Sequence, residues 1–305
     1  MTAPGAGRFA PSPTSDLHLG NLRTAVLAWL FARSSGRRYL LRIEDLDTTR
    51  VRAAGDTAGR QCADLAALGL DFDGEPLWQS QRLEVYREAI ASLPTYPCFC
   101  TRREIAEAAS APHPESGGYR RYPGTCRNLT DAQRAERAAV RTPALRVRAQ
   151  DASWTVNDAL AGEVTALVDD FVVARNDGTP AYNLAVVVDD LASGVDQVVR
   201  GDDLLDSSPR QAWLATRLGG PAPSYAHVPL ALNRSGQRLA KRDGAVSMAD
   251  LARLRISPQR VLSRIAESLA LAEPGEPVDL SVMLKRFDPA SIPRRPWIVA
   301  SDYCW

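Results

Sequence analysis

A strand, a turn, a helix and a second strand follow one another near the N-terminus, and this order constrains the fold more than any other feature of the sequence. Residues Gly7 to Ala10 read as a short strand, which the turn residues Pro11 to Ser15 interrupt. From Asn21 to about Ser34 apolar residues recur at helical spacing, and Tyr39 to Ile43 then has a strand pattern. This order opens a parallel sheet covered by helices, so we expect an α/β fold.

The same alternation returns in the second half of the chain. Gln197 to Arg200 is predicted as a strand, Pro209 to Leu218 as a helix with proline at its start, and His227 to Leu232 as another strand. Irregular loops and short strand-like runs at Leu145–Ala149 and Phe171–Ala174 lie between the two halves and indicate an insertion. We therefore expect a parallel-sheet domain made of residues 1–95 and 185–246, an inserted α+β domain at 96–184, and a short helical C-terminal segment at 247–305.

Charge and apolar content exclude several classes of protein. The chain has 305 residues, with 37 Lys or Arg against 36 Asp or Glu, so its net charge is +1. That balance argues against binding long nucleic acid through a broad positive surface, although a local basic groove is compatible with it. The apolar stretch Gly178–Val188 has eleven residues, well short of the ~20 that cross a bilayer. Residues 1–13 lack a signal-peptide pattern, and five cysteines do not suggest a disulfide framework. We expect a cytoplasmic protein with no membrane partner.

The first chemical motif is His18-Leu19-Gly20-Asn21 at the start of the first predicted helix. A helix N-terminus presents unpaired N–H groups and partial positive charge, which suit a phosphate. Gly20 would allow close approach of a ligand, and His18 could donate a hydrogen bond to a phosphate oxygen. A histidine in this position is also common as a helix cap or a surface residue, so the motif alone leaves both interpretations open.

The second motif is the basic run Arg238 to Arg242, which follows the strand ending at Leu232 and a turn. A solvated surface loop would explain such a run. However, the chain contains only two lysines, Lys241 and Lys285, among 35 arginines. A lysine in this context suggests a need for a compact ammonium group, for example to contact a triphosphate.

Together the two motifs resemble those of class I aminoacyl-tRNA synthetases, whose HIGH motif is similar to His18–Asn21 and whose KMSKS loop is similar to Arg238–Arg242. The loop departs from the family in having Ala240 where serine is common. Segments similar to the glutamyl branch of this family are Arg8–Thr14, Leu41–Asp47, Ala181–Asp190 and Val199–Leu204. The resemblance covers about Gly7 to Ser247 and implies a Rossmann-type parallel sheet split by an inserted α+β domain that contains zinc.

The resemblance also implies site residues. His18 and Lys241 would be catalytic, and ATP would bind at His18, Gly20, Asn21 and Lys241 with Mg²⁺ on its phosphates. Glutamate has two carboxylates and an ammonium, so its pocket requires arginine forks and an opposing anion. The residues expected to bind it by resemblance are Arg8, Phe9, Ala10, Pro11, Ser12, Glu44, Tyr182 and Arg200. Glu44 could instead form an ion pair with its charged neighbours.

A third cluster is Cys98-Phe99-Cys100 followed by Tyr122 and Cys126. Three thiols could contribute to a tetrahedral Zn²⁺ site, with Tyr122 or His113 as the fourth ligand, although buried cysteines alone would give the same pattern. The short glutamyl-Q tRNA(Asp) synthetases carry a similar arrangement, which implies one structural Zn²⁺ held by Cys98, Cys100, Tyr122 and Cys126. Cys62 and Cys304 are expected to be structural or incidental.

The length of the tail separates members of the glutamyl branch. Only 64 residues follow Lys241, too few for the anticodon-binding domain of a full glutamyl-tRNA synthetase, since such a domain needs ~100. The resemblance therefore implies the glutamyl-Q type, which in the family activates L-glutamate with ATP and transfers it to queuosine in the anticodon loop of tRNA(Asp). We also expect a monomer. The alternatives are a truncated glutamyl-tRNA synthetase, an enzyme that adenylates another small acid, and a non-catalytic binding paralogue.

Overall fold

The computed structural model describes residues 4–108, 121–239 and 246–299. The strands are β1 (Ala6–Phe9), β2 (Arg38–Ile43), β3 (Leu77–Trp78), β4 (Thr95–Cys98), β5 (Ala144–Val147), β6 (Ala152–Asp158), β7 (Gly162–Val168), β8 (Val172–Ala174), β9 (Gln197–Gly201), β10 (Ser224–Val228), β11 (Ala231–Leu232) and β12 (Trp297–Ile298). The helices are α1 (Leu19–Ser34), α2 (Thr48–Ala54), α3 (Thr57–Ala67), α4 (Leu83–Ala91), α5 (Arg102–Ala108), α6 (Asp131–Val140), α7 (Tyr182–Ala192), α8 (Ser208–Arg217), α9 (Met248–Arg253), α10 (Pro258–Ser268) and α11 (Leu280–Arg286).

The two halves of the chain form one parallel arrangement of strands. β1 pairs with β2 and β2 with β3, while β9 pairs with β10, all in parallel. A parallel bridge between Ala6 and Val195 brings β1 beside β9, and the N–H of Asp196 donates to the carbonyl of Ala6 at 3.1 Å. The resulting order is β3-β2-β1-β9-β10, which confirms the predicted α/β fold with a parallel sheet.

A hairpin extends this sheet beyond β10. β6 pairs with β10 in parallel at Asp158 and Tyr225, and β7 pairs antiparallel with β6 along its whole length. The hairpin therefore contributes residues to the carboxyl-end region of the sheet, although it lies between residues 96 and 184 in sequence.

A separate antiparallel sheet is formed by β4, β5 and β8. The cysteine cluster lies at the end of β4, where buried side chains pack around it: Tyr96, Cys98, Phe99, Tyr122, Cys126 and Leu129. This small core is distinct from the large core around α1.

Helix α1 is the centre of the main core, because its side chains are buried along nearly the whole helix. The C-terminal helices α10 and α11 pack into the same core through residues such as Ile265 and Met283. Arg23, on α1, is also buried and donates to the carbonyl of Pro229 at 2.6 Å and to Ser268 Oγ at 3.1 Å. These contacts fix α1 between the sheet and the C-terminal segment. No described helix is long and apolar enough to cross a membrane.

Candidate active site

A cavity of about 450 Å³ opens where β1 and β9 end and α1 begins. Parallel sheets bind ligands at the carboxyl ends of their strands, so its position is the one expected for this fold. Nine of the residues predicted from the sequence line it, namely Arg8, Phe9, Ala10, His18, Gly20, Asn21, Glu44, Tyr182 and Arg200. The structure therefore brings the predicted phosphate motif and most of the predicted carboxylate-binding residues into one space.

Pro11 and Ser12 do not line this cavity. The carbonyl of Pro11 accepts a hydrogen bond from the N–H of Glu44 at 2.9 Å. Ser12 is exposed, and its carbonyl accepts from Gln61 Nε2 at 3.1 Å. Both residues therefore stabilise the loop after β1, and the hydrogen bond to the Pro11 carbonyl fixes the backbone of Glu44.

His18 caps α1 and has a defined protonation state. Its Nδ1 accepts hydrogen bonds from the N–H groups of Gly20 at 3.1 Å and Asn21 at 3.4 Å, while Asn21 Oδ1 accepts from the N–H of His18. Burial, reinforced by the Arg238 guanidinium, lowers the pKa of His18 to about 4. Because Nδ1 is the acceptor in a neutral ring, the proton resides on Nε2, which can donate to a ligand.

Gly20 is required by the packing around this cap. A Cβ at residue 20 would lie 3.0 Å from His18 Cε1 and 3.3 Å from Ala231 Cβ. Any larger residue would displace the imidazole from its capping position, so Gly20 maintains the position of His18 as well as access to the helix N-terminus.

Arg8 is held by an ion-pair network below the cavity. Its Nε donates to Asp190 Oδ1 at 3.1 Å, and Arg42 Nη1 donates to the same oxygen at 2.5 Å. Arg42 also contacts Glu44, with 3.2 Å between Nη2 and Oε1. Burial raises the pKa of Glu44 although Arg42 and Arg8 oppose the shift. Asp190 thus neutralises part of the positive charge beneath Arg8.

The neighbouring carboxylate of Asp189 is fully buried and anchors α7 to α4. It accepts from Arg82 Nε at 2.7 Å, Gln79 Nε2 at 2.9 Å and the hydroxyl of Tyr86 at 2.8 Å. Arg42, Asp189 and Asp190 were not predicted as site residues, although all three lie in the segments that resemble the glutamyl branch. The feature of the sequence that could have identified them is that they are charged residues next to apolar runs.

Arg200 reaches the cavity from β9 in a different environment. It donates to His227 Nε2 at 3.0 Å, Gln211 Oε1 at 2.7 Å and Ser208 Oγ at 3.0 Å, and weakly to the carbonyl of Leu204 at 3.3 Å. All of these acceptors are uncharged if His227 is neutral. Arg200 is buried, yet it lines the cavity.

The basic run borders the cavity at its start. Arg238 and Leu239 line the cavity, and Arg238 forms an ion pair with Asp203. Ser247, beyond the run, forms an antiparallel bridge with His18. Lys241, together with Ala240 and Arg242, lies outside the described residues, so its predicted role stays a prediction.

The three predicted thiols converge at the end of β4. The Sγ atoms of Cys98, Cys100 and Cys126 lie within 4.8 Å of one another. The Tyr122 hydroxyl lies 3.4 Å from Cys98 Sγ and 3.9 Å from Cys100 Sγ, and Arg137 Nη1 donates to Cys126 Sγ at 3.5 Å. The cluster can hold a metal ion. The alternative ligand His113 and the isolated Cys304 lie outside the described residues, and Cys62 is a half-buried free thiol in α3.

Comparison with known proteins gives the same assignment over nearly the whole chain. The model for the catalytic domain of class I tRNA synthetases (E and Q) matches residues 6–266. A Glutamyl-Q tRNA(Asp) synthetase of Nocardia farcinica is 60% identical, over 99% of this chain and 95% of the relative. The protein of that name from Cutibacterium acnes is 55% identical, over 90% of this chain and 79% of the relative.

Glutamate–tRNA ligases are more distant and longer. That of Burkholderia mallei is 41% identical over 87% of this chain, which spans only 58% of the relative. Among solved structures, a glutamate tRNA ligase from Elizabethkingia meningosepticum in complex with its amino acid has a TM-score of 0.79 at 25% identity, covering 98% of this chain and 68% of that one. The chain therefore belongs to the class I tRNA synthetases (E and Q) and, within them, to the glutamyl-Q tRNA(Asp) synthetases.

Proposed function

We propose that the protein is a ligase that activates L-glutamate with ATP and transfers the glutamyl group to queuosine in the anticodon loop of tRNA(Asp). The observation that carries this proposal is the cavity in which a helix N-terminus with a neutral histidine faces two arginines and a carboxylate. The names of the 60% and 55% identical relatives support the acceptor.

The cavity complements glutamate by charge. Arg8 and Arg200 would face its carboxylates, Glu44 would bind its ammonium, and Tyr182, which is 43% exposed, would add a hydrogen bond. Phe9 and Ala10 line the same wall. Pro11 and Ser12 would act through the loop that places Glu44.

ATP would bind beside this pocket at the start of α1. The N–H groups of the first turn and the Nε2–H of His18 suit its phosphates, and Gly20 and Asn21 maintain this arrangement. Lys241, two residues after the cavity-lining Leu239, would contact the phosphates together with Mg²⁺.

The first chemical step needs no protein nucleophile. A glutamate carboxylate oxygen attacks the α-phosphorus of ATP, the bond to the bridging oxygen breaks, and pyrophosphate leaves. Charge accumulates on the phosphate oxygens during this displacement, so His18 and Lys241 would act by stabilising it. An acceptor hydroxyl then attacks the glutamyl carbonyl and releases AMP.

The cysteine cluster would hold one structural Zn²⁺. Three thiols within 4.8 Å of one another supply the sulfur donors that zinc binds, and the Tyr122 hydroxyl, 3.4 Å from Cys98 Sγ, lies beside them as the proposed fourth ligand. Cys98, Cys100, Tyr122 and Cys126 would bind the ion and fix the loop after β4. Zinc of this kind stabilises a small core rather than taking part in the reaction.

We propose that the chain is organised into a split catalytic domain, an insertion and a C-terminal segment. Residues 1–95 and 185–246 would form the catalytic domain, residues 96–184 the inserted zinc-containing domain, and residues 247–305 a C-terminal segment. Since β6 joins the parallel sheet through β10, the insertion would share one sheet with the catalytic domain. We further propose that the enzyme is a cytoplasmic monomer.

Exchange of labelled pyrophosphate into ATP, dependent on glutamate and measured with and without tRNA, tests this function. Exchange without tRNA, followed by glutamylation of tRNA(Asp) only when it contains queuosine, is expected. Exchange that needs tRNA, with acylation of the 3′ end of tRNA(Glu), would instead identify a charging enzyme like the 41% identical ligase. Exchange with a different acid would refute glutamate as the substrate.

A further inference from the structure

Charged side chains around the cavity are almost all neutralised by a partner. Arg8 forms an ion pair with Asp190, Glu44 with Arg42, and Arg238 with Asp203. Arg200 is the exception among the described residues that line the cavity, because no carboxylate lies within ion-pair distance of its guanidinium. A buried, un-neutralised guanidinium is a strong binding group for an anion.

The contact that replaces a carboxylate beside Arg200 is the imidazole of His227. The Nε of Arg200 is an obligate donor, so the Nε2 of His227, 3.0 Å away, must be an unprotonated acceptor. The opposite nitrogen, Nδ1, lies 2.6 Å from Asp158 Oδ2 and therefore carries the proton. This geometry fixes a neutral imidazole with one tautomer.

Asp158 is well suited to hold that tautomer. It lies at the end of β6, and both its side chain and that of His227 are fully buried. Its oxygens also accept from the backbone N–H groups of Leu160, Ala161 and His227 at 2.8 to 3.0 Å. Burial opposes ionisation, but the hydrogen bonds from His227 and the backbone outweigh it and lower the pKa of Asp158 to about 2.

We propose that Asp158 and His227 are positioning residues for the amino-acid substrate: Asp158 orients His227, and His227 aims Arg200 at a substrate carboxylate without neutralising it. This inference rests on the proposed function, in which Arg200 binds glutamate. A carboxylate directly on Arg200 would reduce the charge that it offers to the substrate. An imidazole supplies the hydrogen bond that fixes the guanidinium and leaves its full charge for the ligand.

Gln211 and Ser208 complete the cradle but do not replace this contact. Gln211 accepts from Nη1 and Ser208 from Nη2, so they restrain the far end of the guanidinium. Only His227 contacts Nε among the described residues, and the Nε contact defines the direction in which the planar fork points.

Two substitutions of His227 separate its contact with Arg200 from its contact with Asp158. Glutamine places an oxygen near the former Nε2, so His227→Gln keeps an acceptor for Arg200 but loses the Nδ1–H donor. Asparagine places its amide near the former Nδ1, so His227→Asn keeps a donor to Asp158 but leaves Arg200 Nε without an acceptor. The pair differ by one methylene, which makes each a control for the other.

Glutamate-dependent pyrophosphate exchange is measured for both variants. We expect His227→Asn to raise the KM for glutamate roughly tenfold or more, as loss of a hydrogen bond to a charged group does, with the KM for ATP within about twofold of wild type. His227→Gln is expected to keep the glutamate KM within about threefold. Either of two results would overturn the proposal. The first is a glutamate KM in His227→Asn that equals that of wild type. The second is a rise in the KM for glutamate and in the KM for ATP that is the same in His227→Asn as in His227→Gln.

A readout independent of activity distinguishes failure of this inference from failure of the proposed function. The chain has three histidines, so ¹⁵N-histidine NMR gives few signals, and the one lost in His227→Gln belongs to His227. At pH 7 we expect protonated Nδ1 and unprotonated Nε2. An Nε2–H tautomer or an imidazolium would refute the positioning role even in an active enzyme. Absence of glutamate-dependent exchange in wild type, with the expected tautomer present, would refute the proposed function while confirming the contacts among Asp158, His227 and Arg200.

Discussion

Replacing Asp190 by asparagine tests how the charge beneath the cavity is balanced. The Asp190 carboxylate is buried and contacts two buried arginines, Arg8 at 3.1 Å and Arg42 at 2.5 Å. Its pKa is lowered because the attraction of Arg42 and Arg8 outweighs the effect of burial. An asparagine side chain in its place would keep the shape and one acceptor oxygen while removing the charge.

The two ion pairs of Asp190 set the expected loss of unfolding free energy. Unit charges about 4 Å apart interact by ~4 kcal/mol at an effective dielectric constant of 20, so loss of both pairs removes ~8 kcal/mol. Relief of the desolvation of the carboxylate returns several kcal/mol of this, and the remaining amide still accepts one hydrogen bond. We therefore expect Asp190→Asn to lower the free energy of unfolding by about 3–5 kcal/mol.

Denaturation by urea, followed by circular dichroism at pH 7, measures this loss. Glu84→Gln is the matched control, because it makes the same acid-to-amide change in an ion pair with Arg87 whose two side chains are 69% and 63% exposed. An exposed pair contributes about 0–1 kcal/mol, so the control should unfold almost as wild type does. A loss below about 1 kcal/mol in Asp190→Asn would refute the view that Asp190 is the counterion of Arg8 and Arg42.

His18, Lys241 and the cysteine cluster each give a further testable prediction. Because the pKa of His18 is about 4 in the folded protein and ~6.5 when unfolded, the unfolded state binds the proton first, and stability should fall as the pH drops from 6.5 toward 4. The fall should be smaller in His18→Asn, which urea denaturation over this range measures; equal slopes would contradict the assignment. Lys241→Ala should lower the rate of glutamate-dependent pyrophosphate exchange far more than it weakens glutamate binding, and comparable losses would exclude its role on the phosphates. The purified protein should contain one Zn²⁺ by atomic emission, lost in Cys126→Ser and retained in Cys62→Ser; retention in both would exclude the thiol cluster as the metal site.

The N-terminal half of the site could be predicted because its signals are local. The predicted helix from Asn21 to about Ser34 is observed as α1, Leu19–Ser34. The helix begins two residues earlier than predicted because His18 caps it, accepting hydrogen bonds from two N–H groups of the first turn. The periodicity of apolar residues does not reveal such a cap. After β2 the chain forms two short helices, α2 and α3, rather than one, because Gly55, with a φ of +63°, ends α2.

Two elements that complete the site were not predicted, for different physical reasons. α7 contains the run Leu184–Val188, which is buried on all sides, so it lacks the polar face of an amphipathic helix, and its three consecutive β-branched valines disfavour a helix. The hairpin of β6 and β7 has alternating burial, but its strands lie far in sequence from β10, the strand that makes it part of the sheet. Tertiary packing determines both elements.

The roles of the two arginines show why the site itself could be predicted only in part. In the sequence Arg8 and Arg200 are equivalent, since each lies in a predicted strand of the parallel sheet. The groups that hold them distinguish them, and these are remote in sequence: Asp190 lies 182 residues from Arg8, and Asp158, which orients the histidine beside Arg200, lies 69 residues from that histidine. The local sequence can show that a predicted strand contains an arginine, but it does not show which remote residue pairs with that arginine. Only the three-dimensional structure shows that Arg8 pairs with the carboxylate of Asp190, whereas Arg200 contacts the imidazole of His227.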